Sequence, residues 1–188
     1  MRLFVAAYPS PTALDHLADE VTSLPMVAYA RDHGTNVRLA NAALWHVTLA
    51  FLGDVEDDRL GLAIGALDAA AASVAAPASI RIAGGGTFGR GRFTTAWAGF
   101  TGGDLEPSAV AARRALKRAR LPYDRKPFRA HLTIARPGDR VPRPILDESL
   151  ARLAAYAGPK WTLDEICLVS SHLGPKPWHE TVHRAPIH

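Results

Sequence analysis

The sequence predicts an α+β protein built from duplicated β-α-β-type lobes with mainly antiparallel sheets, and three observations lead there. First, a nine-residue phrase occurs twice, HVTLAFLGD at 46–54 and HLTIARPGD at 131–139, displaced by 85 residues. Second, each copy runs into an Ala- and Leu-rich stretch of helical pattern, so the strand-then-helix unit is itself repeated. Third, 188 residues with 48% hydrophobic content suffice for a substantial core, in one domain or in two small lobes sharing an interface.

Taken in order, residues 2–8 (RLFVAAY) read as a buried first strand. Ser10-Pro11 opens a helix predicted to run to about Val27, with Pro25 near its end. Residues 37–39 suggest a short strand. The first motif strand is predicted over 44–52, stopping at Gly53-Asp54, with an amphipathic helix after it. Residues 79–88 and 92–100 form two β-rich runs joined through GRGR, and Gly102-Gly103-Asp104 leads into a helix ending near Arg120. The second motif strand follows Pro122, then a helix from PRPILDESLARLAAYA. Two tail strands, 161–171 and 178–184, flank the turn-like HLGPKP. The tally is seven or eight strands and four helices.

Composition narrows the function classes. The starting run MRLFVAAYPSP is far too short to span a membrane and lacks a signal peptide's long apolar region and cleavage site, so a cytoplasmic protein is expected. The single cysteine, Cys167, excludes an intramolecular disulfide and a Cys-rich zinc site, and its apolar setting reads as core. A net charge of +4 with 18 Arg among 22 basic residues is compatible with a phosphate-bearing substrate without requiring one.

The repeated phrase carries the chemistry. A strand alternates its side chains, so His46 and Thr48 share one face, as do His131 and Thr133, with neighbouring same-face side chains roughly 6 to 7 Å apart. Val47, Leu49, Leu132 and Ile134 then point into a core. Two such strands facing each other present two imidazoles and two hydroxyls to one small anion, with one imidazole able to take a proton while the other gives one. That set suits phosphoester cleavage without a metal. One His-x-Thr alone is more often a satisfied core or surface residue; its duplication in matching apolar context favours a site.

With these motifs placed, the chain resembles the two-histidine (2H) phosphoesterase superfamily, and within it the RNA 2′,3′-cyclic phosphodiesterases, also called 2′-5′ RNA ligase-like proteins. The resemblance rests on the RLFVA start, HVTLAFLGD, the Gly-rich GGGTFGRGRF, FRAHLTIAR and the LVSSHLGPKPWHETV ending. It implies a single two-lobed domain over 1–188, with both His-x-Thr strands lining a central cleft about a pseudo-twofold axis. It places the catalytic pair on His46 as acid and His131 as base, and the phosphate-binding hydroxyls on Thr48 and Thr133. Phe51 and Arg136 are the implied base and phosphate contacts. Both stand five residues after their His, so an ideal strand would turn them away: a bulge or strand end must re-aim them, or they are core and surface residues.

The implied reaction is hydrolysis of a ribose 2′,3′-cyclic phosphate to a 2′-phosphate by a monomer acting on RNA ends or nucleotides, without metal, cofactor or membrane. Two alternatives share the cleft: reversible 2′-5′ RNA joining, and nucleotide or RNA binding without turnover.

Several motifs are set aside. HETVH at 179–183 matches a zinc-protease pattern that needs a helix, but the surrounding prolines and Thr181-Val182 favour a strand, where its two imidazoles would stand roughly 13 Å apart. GGGTFG at 84–89 matches a dinucleotide fingerprint but is followed by strand-like RFTTAWAGF rather than a helix. The basic run 113–120 and Arg90 and Arg92 read as solvated, and the four tryptophans as core.

Overall fold

The computed structural model describes residues 1–188. Eight strands and five α-helices follow one another as β1 (Arg2–Ala7), α1 (Pro11–Thr22), α2 (Pro25–Asp32), β2 (Val47–Asp54), α3 (Leu60–Ala71), β3 (Ala78–Phe88), β4 (Thr95–Gly102), α4 (Glu106–Arg118), β5 (Leu132–Ala135), α5 (Arg143–Ala155), β6 (Ala157–Leu163), β7 (Glu165–His172) and β8 (Trp178–Pro186). The strands form two four-stranded sheets, ordered β2-β1-β7-β8 and β5-β4-β3-β6, with every pairing antiparallel. The α+β class with antiparallel sheets is as the sequence predicts.

Duplication extends to how the helices are shared. Within the first sheet β1 connects to β2 through α1 and α2, yet α1 packs on β6 and β3 of the second sheet; within the second sheet β4 connects to β5 through α4, which packs on β2 and α3. Helix α3 backs β7 and β8, and α5 backs β3. Each lobe thus lends a helix to the other, and 45 buried residues form one continuous apolar cluster across both. Burial of that shared apolar surface is what holds the sheets in register with each other.

Three expectations are corrected. The first helix stops at Thr22 and a second starts at Pro25: proline lacks the N–H that a helix interior needs but fits the first helical turn, so Pro25 begins a helix rather than sitting near the end of one. The tail run 161–171 is two strands, because the chain leaves β6 of one sheet and enters β7 of the other with only Asp164 between them. No glycine or proline marks that crossing. Residues 37–39 contribute a single bridge, Leu39 to Ala135, in place of a strand.

The motif strands β2 and β5 are both sheet edges, and each edge is covered by the segment that precedes the other. Ala40 N–H donates to Ile134 O (2.8 Å) and Arg136 N–H to Val37 O (3.1 Å), while Asp124 N–H donates to Phe51 O (2.8 Å). These crossed bonds satisfy edge groups and bring the two motifs together.

Candidate active site

Each motif histidine sits one residue ahead of its strand, since β2 starts at Val47 and β5 at Leu132. The predicted strand start at Leu44 is replaced by a 3₁₀ turn over Ala42–Leu44, capped by the Asn41 side chain accepting from Ala43 N–H. In both copies the backbone folds back in the same way. His46 Nδ1 donates to Leu44 O and His131 Nδ1 to Arg129 O, each at 2.7 Å and each two residues upstream. A carbonyl can only accept, so both neutral rings carry the proton on Nδ1 and leave Nε2 as the basic nitrogen.

His46, Thr48, His131, Thr133 and Arg136 line one cleft of about 530 Å³. Val47, Leu49, Leu132 and Ile134 are buried in the core, as the alternation requires. Arg136 reaches the cleft because of a bulge: Trp97 pairs with Thr133 but Ala96 with Ala135, so Ile134 is skipped and the parity changes after Thr133. The first motif carries the matching irregularity, Ala6 pairing with Thr48 and Val5 with Ala50, so Leu49 is skipped and Phe51 turns to the side of Thr48. The bulges resolve the five-residue offset in both copies.

Phe51 nevertheless lies outside the main cleft. It lines an adjoining depression of about 240 Å³ that shares Thr48 and His131 with the cleft and also holds Phe88, Phe128 and Arg113. The Arg2 guanidinium stands 4.8 Å over its ring.

His46 is packed against aromatic rings, Phe4 at 4.7 Å between centroids, His179 at 5.1 Å and Tyr8 at 6.0 Å. Burial pushes its pKa down to about 4, with the nearby His179 and His131 acting in the same direction against the raising effect of the Leu44 carbonyl. Its Nε2 receives the Thr48 hydroxyl at 3.1 Å. This ring is neutral at physiological pH, a proton acceptor.

Sequence reasoning missed the surroundings of His46. Phe4 and Tyr8 alternate along the first strand and its extension, which places them on one face, but only the β1–β2 register brings that face to His46. His179 also lines the cleft, although the HETVH pattern by itself points only to a metal site that a strand cannot form. The motif does lie on a strand, as expected. Among the tryptophans, Trp45 and Trp161 are core, whereas Trp178 is half exposed and stacked on His172 at 3.7 Å. Cys167 is buried, and burial together with Glu165 raises its thiol to about 11, which keeps it protonated.

The family model of the 2′-5′ RNA ligase superfamily matches residues 14–175, most of the chain. The chain belongs to this superfamily. A curated relative from Geobacillus stearothermophilus, named RNA 2′,3′-cyclic phosphodiesterase, is 36% identical over 148 residues, which is 76% of this chain; the chain spans 45% of that relative's length. Among solved structures, a Thermus thermophilus protein superposes with a TM-score of 0.77 at 23% identity, covering 100% of this chain and 98% of that one. E. coli LigT without ligand superposes with a TM-score of 0.68 at 17% identity, covering 99% and 96%, and LigT has also been crystallised with 3′-AMP and with phosphate. These two likenesses establish the fold of this superfamily member. No helix in it is long and apolar enough to cross a membrane.

Proposed function

We propose that residues 1–188 act as one two-lobed unit that hydrolyses RNA or nucleotide 2′,3′-cyclic phosphates to 2′-phosphomonoesters. The observation that carries this reading is a pair of imidazoles, anchored identically through Nδ1, whose motifs meet in a single cleft with two threonines and Arg136. The name of the Geobacillus relative and the ligands of LigT support a small phosphate or nucleotide as occupant.

In the proposed reaction His131 Nε2 takes a proton from water as it attacks phosphorus, and the P–O3′ bond breaks. His46 Nε2 gives the departing 3′ oxygen its proton, and the phosphate remains on the 2′ oxygen. Thr48 and Thr133 hydrogen-bond the non-bridging oxygens, and Arg136 offsets their charge. Two histidines supply both proton transfers, so the scheme requires no metal. A neutral resting His46 acquires its proton only as the phosphate anion enters, because a nearby negative charge favours the imidazolium. RNA-end processing by a monomer in the cytoplasm is the setting we assign.

The depressed pKa of His46 favours a second reading of the same cleft, with His46 as base and His131 as acid. The same groups run in reverse would join a cyclic end to a 5′ hydroxyl through a 2′-5′ bond. Purified protein incubated, with EDTA present, with an oligoribonucleotide ending in a 2′,3′-cyclic phosphate should yield a 2′-phosphate end, identified by mass and phosphatase sensitivity. His46→Ala and His131→Ala should not. Retained turnover in either variant would remove the paired mechanism, and tight product binding with no wild-type turnover would leave a binding module.

A further inference from the structure

His179 is a histidine that the scheme above does not use, and its surroundings are unlike those of its motif partner. It lies on β8, where Val169 pairs with Thr181 but Leu168 with His183, so Val182 is skipped. This bulge sends the two imidazoles of HETVH to opposite faces of the sheet. His183 Nε2 meets Asp68 of α3 at 2.7 Å on the helix-covered face. His179 turns the other way, edge-on to Phe4 and to His46, each at 5.1 Å between centroids, and lines the cleft.

The ring's hydrogen bonding fixes what it can do there. His179 Nδ1 is sealed from solvent with no hydrogen-bond partner. A proton on that atom would bury an N–H donor with no acceptor, a loss of the full desolvation energy of the group. Charging the ring would do the same and add a cation beside His46, and it is disfavoured first by burial and then by His172 on β7. The neutral form with its proton on Nε2 avoids the cation and leaves at Nδ1 only an unpaired acceptor lone pair, which buried sites tolerate more readily than an orphaned N–H donor. His46 and His131 have the opposite tautomer, so the cleft holds two Nε2 acceptors and one Nε2–H donor. The other charged groups nearby are Arg136, which lines the same cleft, and Glu180, whose carboxylate lies 3.5 Å from His172.

We propose that His179 is a third substrate-contacting imidazole, whose neutral Nε2–H donates a hydrogen bond to a phosphoryl oxygen of the bound phosphodiester. The inference deepens the proposed phosphodiesterase reading and rests on it for the identity of the substrate. A neutral donor stabilises charge developing on oxygen without further depressing His46, as a second cation beside it would.

The test combines turnover with binding of inorganic phosphate. His179→Phe keeps ring volume but has no donor, and should lower kcat/KM for a 2′,3′-cyclic nucleotide and the affinity for phosphate by about 10- to 100-fold, the worth of one hydrogen bond to a charged group. His179→Gln, whose amide N–H can donate, should recover most of the loss, and His183→Ala on the other face should match wild type. Histidine ¹⁵N NMR should show His179 in the Nε2–H form at neutral pH, its Nε2 proton moving downfield as phosphate is added. A folded His179→Phe protein with wild-type turnover and phosphate affinity, or a Gln variant as impaired as Phe, would overturn the proposal. Failure of the wild type to turn over cyclic phosphates would overturn the activity instead, leaving the phosphate and NMR measurements to decide the role of His179.

Discussion

The two motif segments are nearly identical in backbone and different in company. Both histidines precede an edge strand, both anchor Nδ1 on the carbonyl two residues back, and both strands bulge after the threonine. Around them the lobes diverge. His46 is enclosed by Phe4, Tyr8 and His179, whereas His131 meets Phe88 edge-on at 4.9 Å and opens toward both the cleft and the adjoining depression. Duplicated backbone geometry supplies the same tautomer twice, and the unequal packing around it sets the proton affinity of His46.

The largest effect expected on this comparison is from removing either ring. His46→Ala and His131→Ala should each lower turnover of a cyclic-phosphate oligonucleotide by about 10²- to 10⁴-fold, the usual worth of one proton-transfer group. A variant losing under tenfold would show that the two segments are not functionally paired.

Next comes stability against pH. The folded protein holds His46 neutral down to about pH 4, while the unfolded chain protonates it near its ordinary 6.5. The unfolded state therefore binds more protons in this window, so this contribution is fully present above pH 6.5 and is lost as pH falls toward 4. Its size is about 3 kcal/mol. Urea unfolding of wild type and His46→Gln at pH 7 and pH 4.5 should show a shallower pH dependence in the variant; equal slopes would contradict the buried neutral state.

Smaller differences should separate the threonines. Thr48 hydrogen-bonds His46 Nε2, and Thr133 has no counterpart contact with His131. Each alanine variant should cost roughly 5- to 10-fold in kcat/KM, about 1 kcal/mol. Only Thr48→Ala should also move the His46 titration in an NMR series. Smallest of all, Phe51→Ala should change kcat for a mononucleotide by under about threefold, since a half-buried ring outside the main cleft sits within the range of substitutions away from the reacting groups. A loss like that of the histidine variants would place Phe51 against the reacting group.

Much of the site was legible because its residues are local. His46 and Thr48, or His131 and Thr133, stand two apart on one chain, so strand alternation alone puts each pair on one face, and repetition of the phrase brings out its importance. The fold class followed from the same periodicities. Asp164 was not legible as a crossing between sheets, because a one-residue change of sheet needs no turn residue. Pro25 carried the right signal, a helix start, within a stretch otherwise patterned as one helix.

The α+β class, the buried Val47, Leu49, Leu132 and Ile134, and the quartet of histidines and threonines follow from the order of residues along the chain. These depend on side-chain period and local backbone preference, which neighbouring residues set. Long-range packing, by contrast, makes α1 and α4 exchange lobes, lets bulges aim Arg136 and Phe51, sets Phe4 and Tyr8 around His46, and brings His179 but not His183 into the cleft. Each of those depends on the register of strands far apart in the chain, and register is chosen by the packing of the whole core.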